Sequence, residues 1–433
     1  MKQLVEDLGL LQQLTDLQVV HVTGTKGKGS CCAFTESILR RKGFRTCLFT
    51  SPHLLQATER IRINGSPIPR QTFAKYVFDV ESRIKAGKGK ELHVGYFQFL
   101  TLVGLWAAVH EDIQVLICEV GMGGRYDATN VLPSPTVCGV VLLDLDHTNV
   151  LGNTLAEIAW EKGGIYKRGS KAFSVVQQSN EPLQVLQKCA DEAGAELMVV
   201  EALPDIDARG ARYEVGLAGR HQRVNAGMAV ALVESLLGLE GQDMESFRAS
   251  EEVHQGLRET QWPGRCQRLK GDHSRWCLDG AHTVESMRQC LDWFRLEAGN
   301  EVKGANGPTL VFMCGHERNL FSLIQPLAVA LASSTQLKNS PGGEESLQSP
   351  FFSSVLFPVV SSRPSRFAYP TVSQVLESAG VSPRDDCKTD EPCSWPETIM
   401  TVWLTIQEKA GFAHSSVSCK LKKIGIQTSY CPA

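Results

Sequence analysis

The stretch Val19-Val20-His21-Val22-Thr23-Gly24-Thr25-Lys26-Gly27-Lys28-Gly29-Ser30 constrains this chain more than any other. A β-branched run feeds a loop with three glycines and two lysines. An amphipathic run follows, with Phe34, Ile38 and Leu39 on one helical face and Gly43 as its stop. Strand, glycine loop and helix in that order aim backbone N–H groups and a helix N-terminus at a phosphate. Lys28 can reach terminal phosphates, and Ser30 offers a hydroxyl to Mg²⁺ or a phosphate oxygen. The loop is not the commonest nucleotide-binding form. Val22 stands where that form has its first glycine, and Gly29 where it has Ser or Thr.

A chain of 433 residues exceeds one core and implies two or three domains. Its net charge of −3 gives no reason to expect nucleic acid, so an anionic substrate must be held by local basic residues. No run of eighteen apolar residues occurs, which excludes a membrane span of that kind. The opening Met1-Lys2-Gln3-Leu4-Val5-Glu6-Asp7 has neither a signal peptide's apolar core nor a transit peptide's bias, so the expected location is the cytoplasm, a mitochondrial form needing a leader. The fourteen cysteines are scattered without a Cys-x-x-Cys pair and read as reduced thiols.

Taken in order, the pattern predicts a helix over 1–16, strands at 46–50, 115–120 and 137–143, and helices over 71–86 and 97–110. A polar loop carrying Glu59-Arg60-Ile61-Arg62-Ile63-Asn64-Gly65 lies between. Glu119 closes an apolar strand, the position at which nucleotide enzymes hold Mg²⁺. His147 falls on the same rim, beyond the strands' carboxyl ends, as do Glu119 and Ser51. Thr154 and Glu157 form a capping box for the next helix, on which Lys162 shares a face with Leu155, Ile158 and Ala159. Two readings of Lys162 stand open. It snorkels to solvent, or it is buried with a lowered pKa and open to covalent modification. Strands at 172–176 and 196–200, a helix over 182–193 and one over 222–237 follow. Residues 238–261 read as a linker, and a second α/β unit begins at Trp262 with strands at 309–313 and 354–359 and a helix over 319–332. Ser-, Pro- and Gly-rich stretches (333–350, 361–370, 380–396) read as insertions before a helical patch at 397–410.

The loop, together with Ser51-Pro52-His53-Leu54, Glu59-Arg60-Ile61, Glu119-Val120-Gly121-Met122-Gly123-Gly124, Asp146-His147-Thr148, Ala159-Trp160-Glu161-Lys162-Gly163-Gly164-Ile165, His221-Gln222-Arg223-Val224-Asn225, Trp262-Pro263-Gly264-Arg265 and Asp279-Gly280-Ala281-His282-Thr283, resembles the folylpolyglutamate synthases within the Mur-type ligases. The resemblance implies an α/β fold. A P-loop-containing parallel-sheet ATPase domain (1–258) would be followed by a smaller Rossmann-like α/β domain (259–433). It implies an ATP-dependent ligase adding L-glutamate to the γ-carboxylate of a reduced folate, acting as a monomer with ATP and Mg²⁺, and with K⁺ as an optional second cation. Thr25, Lys26, Gly27, Lys28, Gly29 and Ser30 would hold the phosphates of ATP, and Asn225, Arg265 and Asp279 the rest of the nucleotide. Ser51, Glu119 and His147 would bind metal. Lys162, as a carbamate, and His282 would complete the catalytic set with Lys28 and His147, while His53 and Arg60 would meet the folate. Two alternatives accompany this reading: a dihydrofolate synthase-type ligase, and a nucleotide-binding pseudo-enzyme with an impaired second domain.

Four departures from the family pattern stand out. Thr58 replaces an arginine, Gly315-His316-Glu317-Arg318 replaces an aspartate-bearing stretch, the segment before the first strand is short, and the closing strand is not recognisable. Lys420, Lys422 and Lys423 argue against a buried parallel strand, so residues 411–433 are expected outside the sheet.

Overall fold

The computed structural model describes residues 1–272, 274–298, 308–314, 320–325, 354–360, 399, 402 and 418–424. Contacts divide the chain into two units, Met1–Leu278 and Asp279–Ala433.

Unit one is built on eight strands: β1 (Gln18–Thr23), β2 (Thr46–Phe49), β3 (Ile61–Ile63), β4 (Ser66–Pro67), β5 (Val115–Glu119), β6 (Val137–Val140), β7 (Lys171–Val175) and β8 (Glu196–Val200). Their order across the sheet is β4-β3-β2-β5-β1-β6-β7-β8. From β2 to β8 every neighbouring pair is parallel, and only β3 and β4 join antiparallel. Central parallel strands are covered on both faces, which is why β1 and β5 are rich in Val, Leu and Ile with no alternation of polar residues. Val19, Val20, Val22 and Val115 to Cys118 are all buried.

One face is covered by the helices Lys28–Arg41 and Gln222–Leu236, whose Phe34, Ile38, Met228 and Leu232 join Val20, Val22 and Ile117 in one core. The other face carries the helix Tyr96–His110, with Leu102, Val103 and Trp106 against Val19, Leu116 and Cys118. A third cluster joins the helices Leu155–Gly163 and Asn180–Ala193 to β6. Because β1 sends its chain to β2 on one side while β6 lies on the other, the strand order reverses at β1. Open parallel sheets bind ligands at the carboxyl ends beside such a switch.

Three expectations are corrected. The helix expected over 1–16 is two short ones, Lys2–Asp7 and Leu11–Asp16, because Gly9 takes φ +70° between them. Residues 238–261 are not a linker but carry the helices Gln242–Arg248 and Glu251–Glu259. Gly256 packs so closely that a Cβ there would lie 2.8 Å from the Ile38 Cα. The polar loop after 59 contains the β3–β4 hairpin, with Asn64 and Gly65 both at positive φ as a two-residue turn demands.

The hairpin of β9 (Gln267–Lys270) and β10 (Arg275–Leu278) belongs to unit one by its contacts, so the contact division at 278/279 lies beyond the 258/259 boundary that the resemblance implies. Unit two contains the helix Val284–Ala298 and a parallel sheet of β11 (Thr309–Val311), β12 (Ser354–Val360) and β13 (Ser418–Ile424), in that order. The expectation that residues from 411 onward lie outside the sheet is wrong for 418–424, which pair with β12 from Ser354↔Ser418 to Val360↔Ile424. The expected insertions, most of the helices at 319–332 and 397–410, and the Gly315 to Arg318 stretch lie outside the described residues.

Candidate active site

The glycine loop leaves β1 at its carboxyl end, and the helix Lys28–Arg41 begins on Gly27, at φ +89°. Gly27 is required twice over. That φ is left-handed, and a Cβ would fall 2.1 Å from the Asn225 Oδ1. The N–H groups of Thr25 and Lys26 both donate to the Leu142 carbonyl, at 2.9 and 3.1 Å. The loop's donors for an anion are therefore those of Lys28, Gly29 and Ser30 in the helix's first turn, which have no intrahelical acceptor. Lys26 is tied to Asp144 at 2.5 Å, and the Thr25 hydroxyl donates to the Asp144 carbonyl at 3.0 Å. Asp144 was visible only as one acid in Asp144-Leu145-Asp146 and was not singled out from the sequence.

Two lysines converge on one atom. Lys28 Nζ donates to the Gly24 carbonyl at 3.0 Å, and Lys162 Nζ to the same oxygen at 2.9 Å. Lys162 is 3% exposed. Desolvation, reinforced by Lys28, pushes its pKa down to about 7 against the pull of Asp146, Asp127 and Glu161. Snorkelling is therefore not what this lysine does, since its ammonium lies inside. The helix that carries it is pinned to the second glycine turn, where the Arg125 N–H donates to the Glu161 carbonyl at 2.7 Å.

Glu119, 4% exposed at the end of β5, accepts a hydrogen bond from the Ser51 N–H at 2.9 Å. Burial raises its pKa, opposed by Lys28, by the Ser51 N–H, and by Arg265 and Arg60. Ser51, Glu119, Lys28 and Lys162 thus meet at the carboxyl end of the central strands. His147, seven residues past the end of β6, takes φ +51°, its backbone N–H donating to Asp146 Oδ1 at 2.9 Å. Arg60 Nε donates to His53 Nδ1 at 2.9 Å, and its guanidinium lies 5.8 Å from the Tyr96 ring centroid. Glu59 is spent locally, accepting from the N–H groups of Leu54, Leu55 and Gln56.

Asn225 is buried beside Gly27 and bonded to Gln222 at 2.9 Å. Trp262 packs on Gly29, with its Nε1 2.9 Å from where a Cβ would project. The tryptophan was legible as part of a motif but not as a partner of the loop. Of unit two, Asp279 follows β10, and His282 Nδ1 is 2.8 Å from the Gly280 carbonyl in a turn that Ser286 caps.

Among the described residues no three of His, Cys, Asp and Glu gather as a metal cage. Mg²⁺ takes one or two protein oxygens and completes its shell with water and substrate phosphates. The Ser51 and Glu119 pair beside the phosphate loop supplies hard oxygens of that kind. The imidazole of His147 is a softer donor and suits Mg²⁺ less well.

No family model matches the chain. Over 348 residues it is 40% identical to the mitochondrial folylpolyglutamate synthase of Bos taurus, a match covering 73% of this chain and 58% of that protein. The chain is a relative of the folylpolyglutamate synthases. The same enzyme of Saccharomyces cerevisiae (strain FostersO) is 42% identical over 297 residues, covering 64% of this chain and 54% of the relative. The chain thus spans little more than half the length of the curated folylpolyglutamate synthases it matches. Among solved structures, Mycobacterium tuberculosis folylpolyglutamate synthase complexed with ADP aligns with a TM-score of 0.70 at 21% identity over 97% of this chain and 83% of that one. E. coli FolC in complex with DHPP and ADP aligns at 0.66 with 24% identity, over 97% and 88%. The fold is therefore that of the folylpolyglutamate synthases, α/β with a large, mainly parallel sheet in unit one and a second α/β unit. Among the described residues no helix is long and apolar enough to cross a membrane.

Proposed function

We propose that this chain is an ATP-dependent ligase that joins L-glutamate to the γ-carboxylate of a reduced folate. The observation that carries the proposal is the meeting of Lys28, Lys162 and the helix N-terminus at one end of β1, with Glu119 beside them. Relatives at about 40% identity carry that enzyme's name, and a structural neighbour is titled as its complex with AMPPCP and folate.

A carboxylate does not accept an amine until one of its oxygens becomes a leaving group. The γ-phosphoryl of ATP is therefore passed to the folate carboxylate, with ADP leaving. The glutamate amine then attacks the acyl carbon, expelling phosphate and losing a proton. The N–H groups of Lys28, Gly29 and Ser30 and the Lys28 ammonium offset charge on the transferring phosphoryl oxygens. Mg²⁺, when bound by Ser51 and Glu119, neutralises charge shared between phosphates. His147 and K⁺ are further members of the proposed cation site. Asn225, Arg265 and Asp279 are proposed to hold the nucleotide, with Thr25 and Lys26 shaping the loop. His53 and Arg60 are proposed to meet the folate, and His282 to serve the glutamate step.

Lys162 is proposed to be carbamylated. Its neutral amine adds to the carbon of CO₂ and releases one proton to solvent, turning a buried neutral amine into an anion facing Lys28. A monomer in the cytoplasm completes the proposal, tested by sizing and fractionation. Mitochondrial forms among the relatives are the competing location.

Incubation with ATP, labelled glutamate and a reduced folate tests the whole reading. γ-Glutamyl product with equal ADP and phosphate supports it. Product from a pteroate alone assigns the dihydrofolate synthase-type reaction, and ADP binding without product assigns a pseudo-enzyme.

A further inference from the structure

Trp262 serves no step above, yet it lies on the loop itself. Where a Cβ would project from Gly29, the indole Nε1 stands at 2.9 Å and two ring carbons at 3.3 and 3.4 Å. The indole edge therefore rests on the second residue of the helix Lys28–Arg41, one of the three whose N–H groups are available to an anion. The Arg62 guanidinium lies 5.2 Å from the indole centroid, a cation–π distance. Arg62 is fixed in turn by the pairing of β3 with β2, opposite Leu48. Arg62 and Trp262 also wall a cavity of about 250 Å³ that Ser37, Arg40 and Glu259 help to line, so the indole is not simply core filling.

Three residues on, the turn Trp262-Pro263-Gly264-Arg265 closes with the Arg265 N–H on the Trp262 carbonyl at 3.3 Å and Gly264 at φ +73°. Arg265 is near enough to Glu119 to favour its charged form. One side chain thus touches the phosphate loop and anchors the turn whose arginine faces the buried carboxylate.

From this we infer that Trp262 is a positioning residue for the nucleotide. Its indole, held by Arg62, clamps the first helical turn so that the N–H groups of Lys28, Gly29 and Ser30 converge on one phosphate, and it keeps Arg265 turned toward Glu119. The clamp accounts for glycine at 29, where the commonest loop has Ser or Thr, because a Cβ there strikes the indole. The inference rests on the proposed ATP site.

The test is MgADP binding by calorimetry, with KM for ATP and kcat, on the full chain and on Trp262→Ala, Trp262→Phe, Gly29→Ala and the double variant Gly29→Ala/Trp262→Ala. Trp262→Ala should weaken MgADP and raise KM for ATP about tenfold, or ~1.4 kcal/mol, with kcat changed less than about threefold. Trp262→Phe, which keeps a flat ring, should retain most of the affinity. Gly29→Ala should weaken binding alone but add nothing on top of Trp262→Ala, because the clash is then gone. Folded Trp262→Ala with wild-type affinity and KM, or additive effects in the cycle, overturns the clamp. Should Trp262→Ala not fold, Trp262→Leu takes its place in the same cycle. A wild-type chain that does not bind MgADP refutes the ATP site itself; wild-type binding matched by Trp262→Ala refutes only the clamp.

Discussion

Replacing Lys162 with methionine should stabilise the protein at low pH and lose that advantage as pH rises. Burial holds the lysine's pKa at about 7 instead of 10.5. At about 1.4 kcal/mol per pH unit, the ceiling on its cost to the fold is roughly 5 kcal/mol. Below pH 7 the ammonium is present in folded and unfolded chains alike, and the folded state bears the whole cost. Between about pH 7 and 10.5 the unfolded chain holds a proton that the folded one has released, so wild-type stability climbs with pH through that window. Methionine keeps the length without the charge. It gives up the hydrogen bond to the Gly24 carbonyl, worth about 1–2 kcal/mol, but Lys28 still satisfies that oxygen. The net expectation is a variant more stable by roughly 3–4 kcal/mol at pH 6 and equal to wild type or slightly less stable at pH 10. Urea unfolding of both proteins in CO₂-free buffer at several pH values reads it. A stability difference that stays constant from pH 6 to pH 10 would refute the reasoning, since Lys162 would then titrate alike in both states.

Lys28→Ala should abolish ATP turnover with the fold intact; turnover within about tenfold of wild type, only ~1.4 kcal/mol, would remove its phosphate role. Glu119→Gln should abolish turnover and resist rescue by excess Mg²⁺, because a neutral amide is a poor ligand for a hard cation. Restoration by Mg²⁺ would show that Glu119 only tunes affinity. Arg248→Ala should destabilise without touching catalysis. Arg248 is bidentate to the buried Glu234 at 2.5 and 2.9 Å, and the loss should be roughly 2 kcal/mol, below the range for fully buried pairs because the arginine is half in solvent. An unchanged urea midpoint would show that Glu234 finds another partner.

The sheet of unit one was legible because its central strands are buried on both faces, and valine-rich runs such as Val19, Val20 and Val22 leave little choice. The helices Gln242–Arg248 and Glu251–Glu259 were not. They bury only Phe247, Val253, Gly256 and Leu257, and so thin an apolar stripe among charges looks like a linker. The candidate site shows the same division. That Lys28, Glu119 and Ser51 stand together beyond the strand ends was legible from their positions in the chain. Lys162 could not be decided, since what fixes its ammonium is the carbonyl of Gly24, 138 residues earlier. Trp262 was hidden for the same reason: periodicity reports which face of an element is apolar, not which distant glycine makes room for a ring.

The end of the chain shows where a sound energetic premise led to the wrong structure. Three lysines in seven residues are prohibitive in a strand with neighbours on both sides, but among the described residues β13 ends the three-strand order, with β12 beside it. An edge strand tolerates charge, and lysine there is a usual device against pairing with other chains. The same register explains Pro358, an unexpected residue in the middle strand. Among the described residues β11 pairs with β12 from Ser354 to Leu356, so at Pro358 the described ladder continues on the β13 side alone, the kind of position at which a strand accommodates a residue without an N–H. The expectation that residues 411–433 lie outside the sheet therefore lends no support, over 418–424, to an impaired second domain. An impaired second domain would have to be argued from residues other than 418–424.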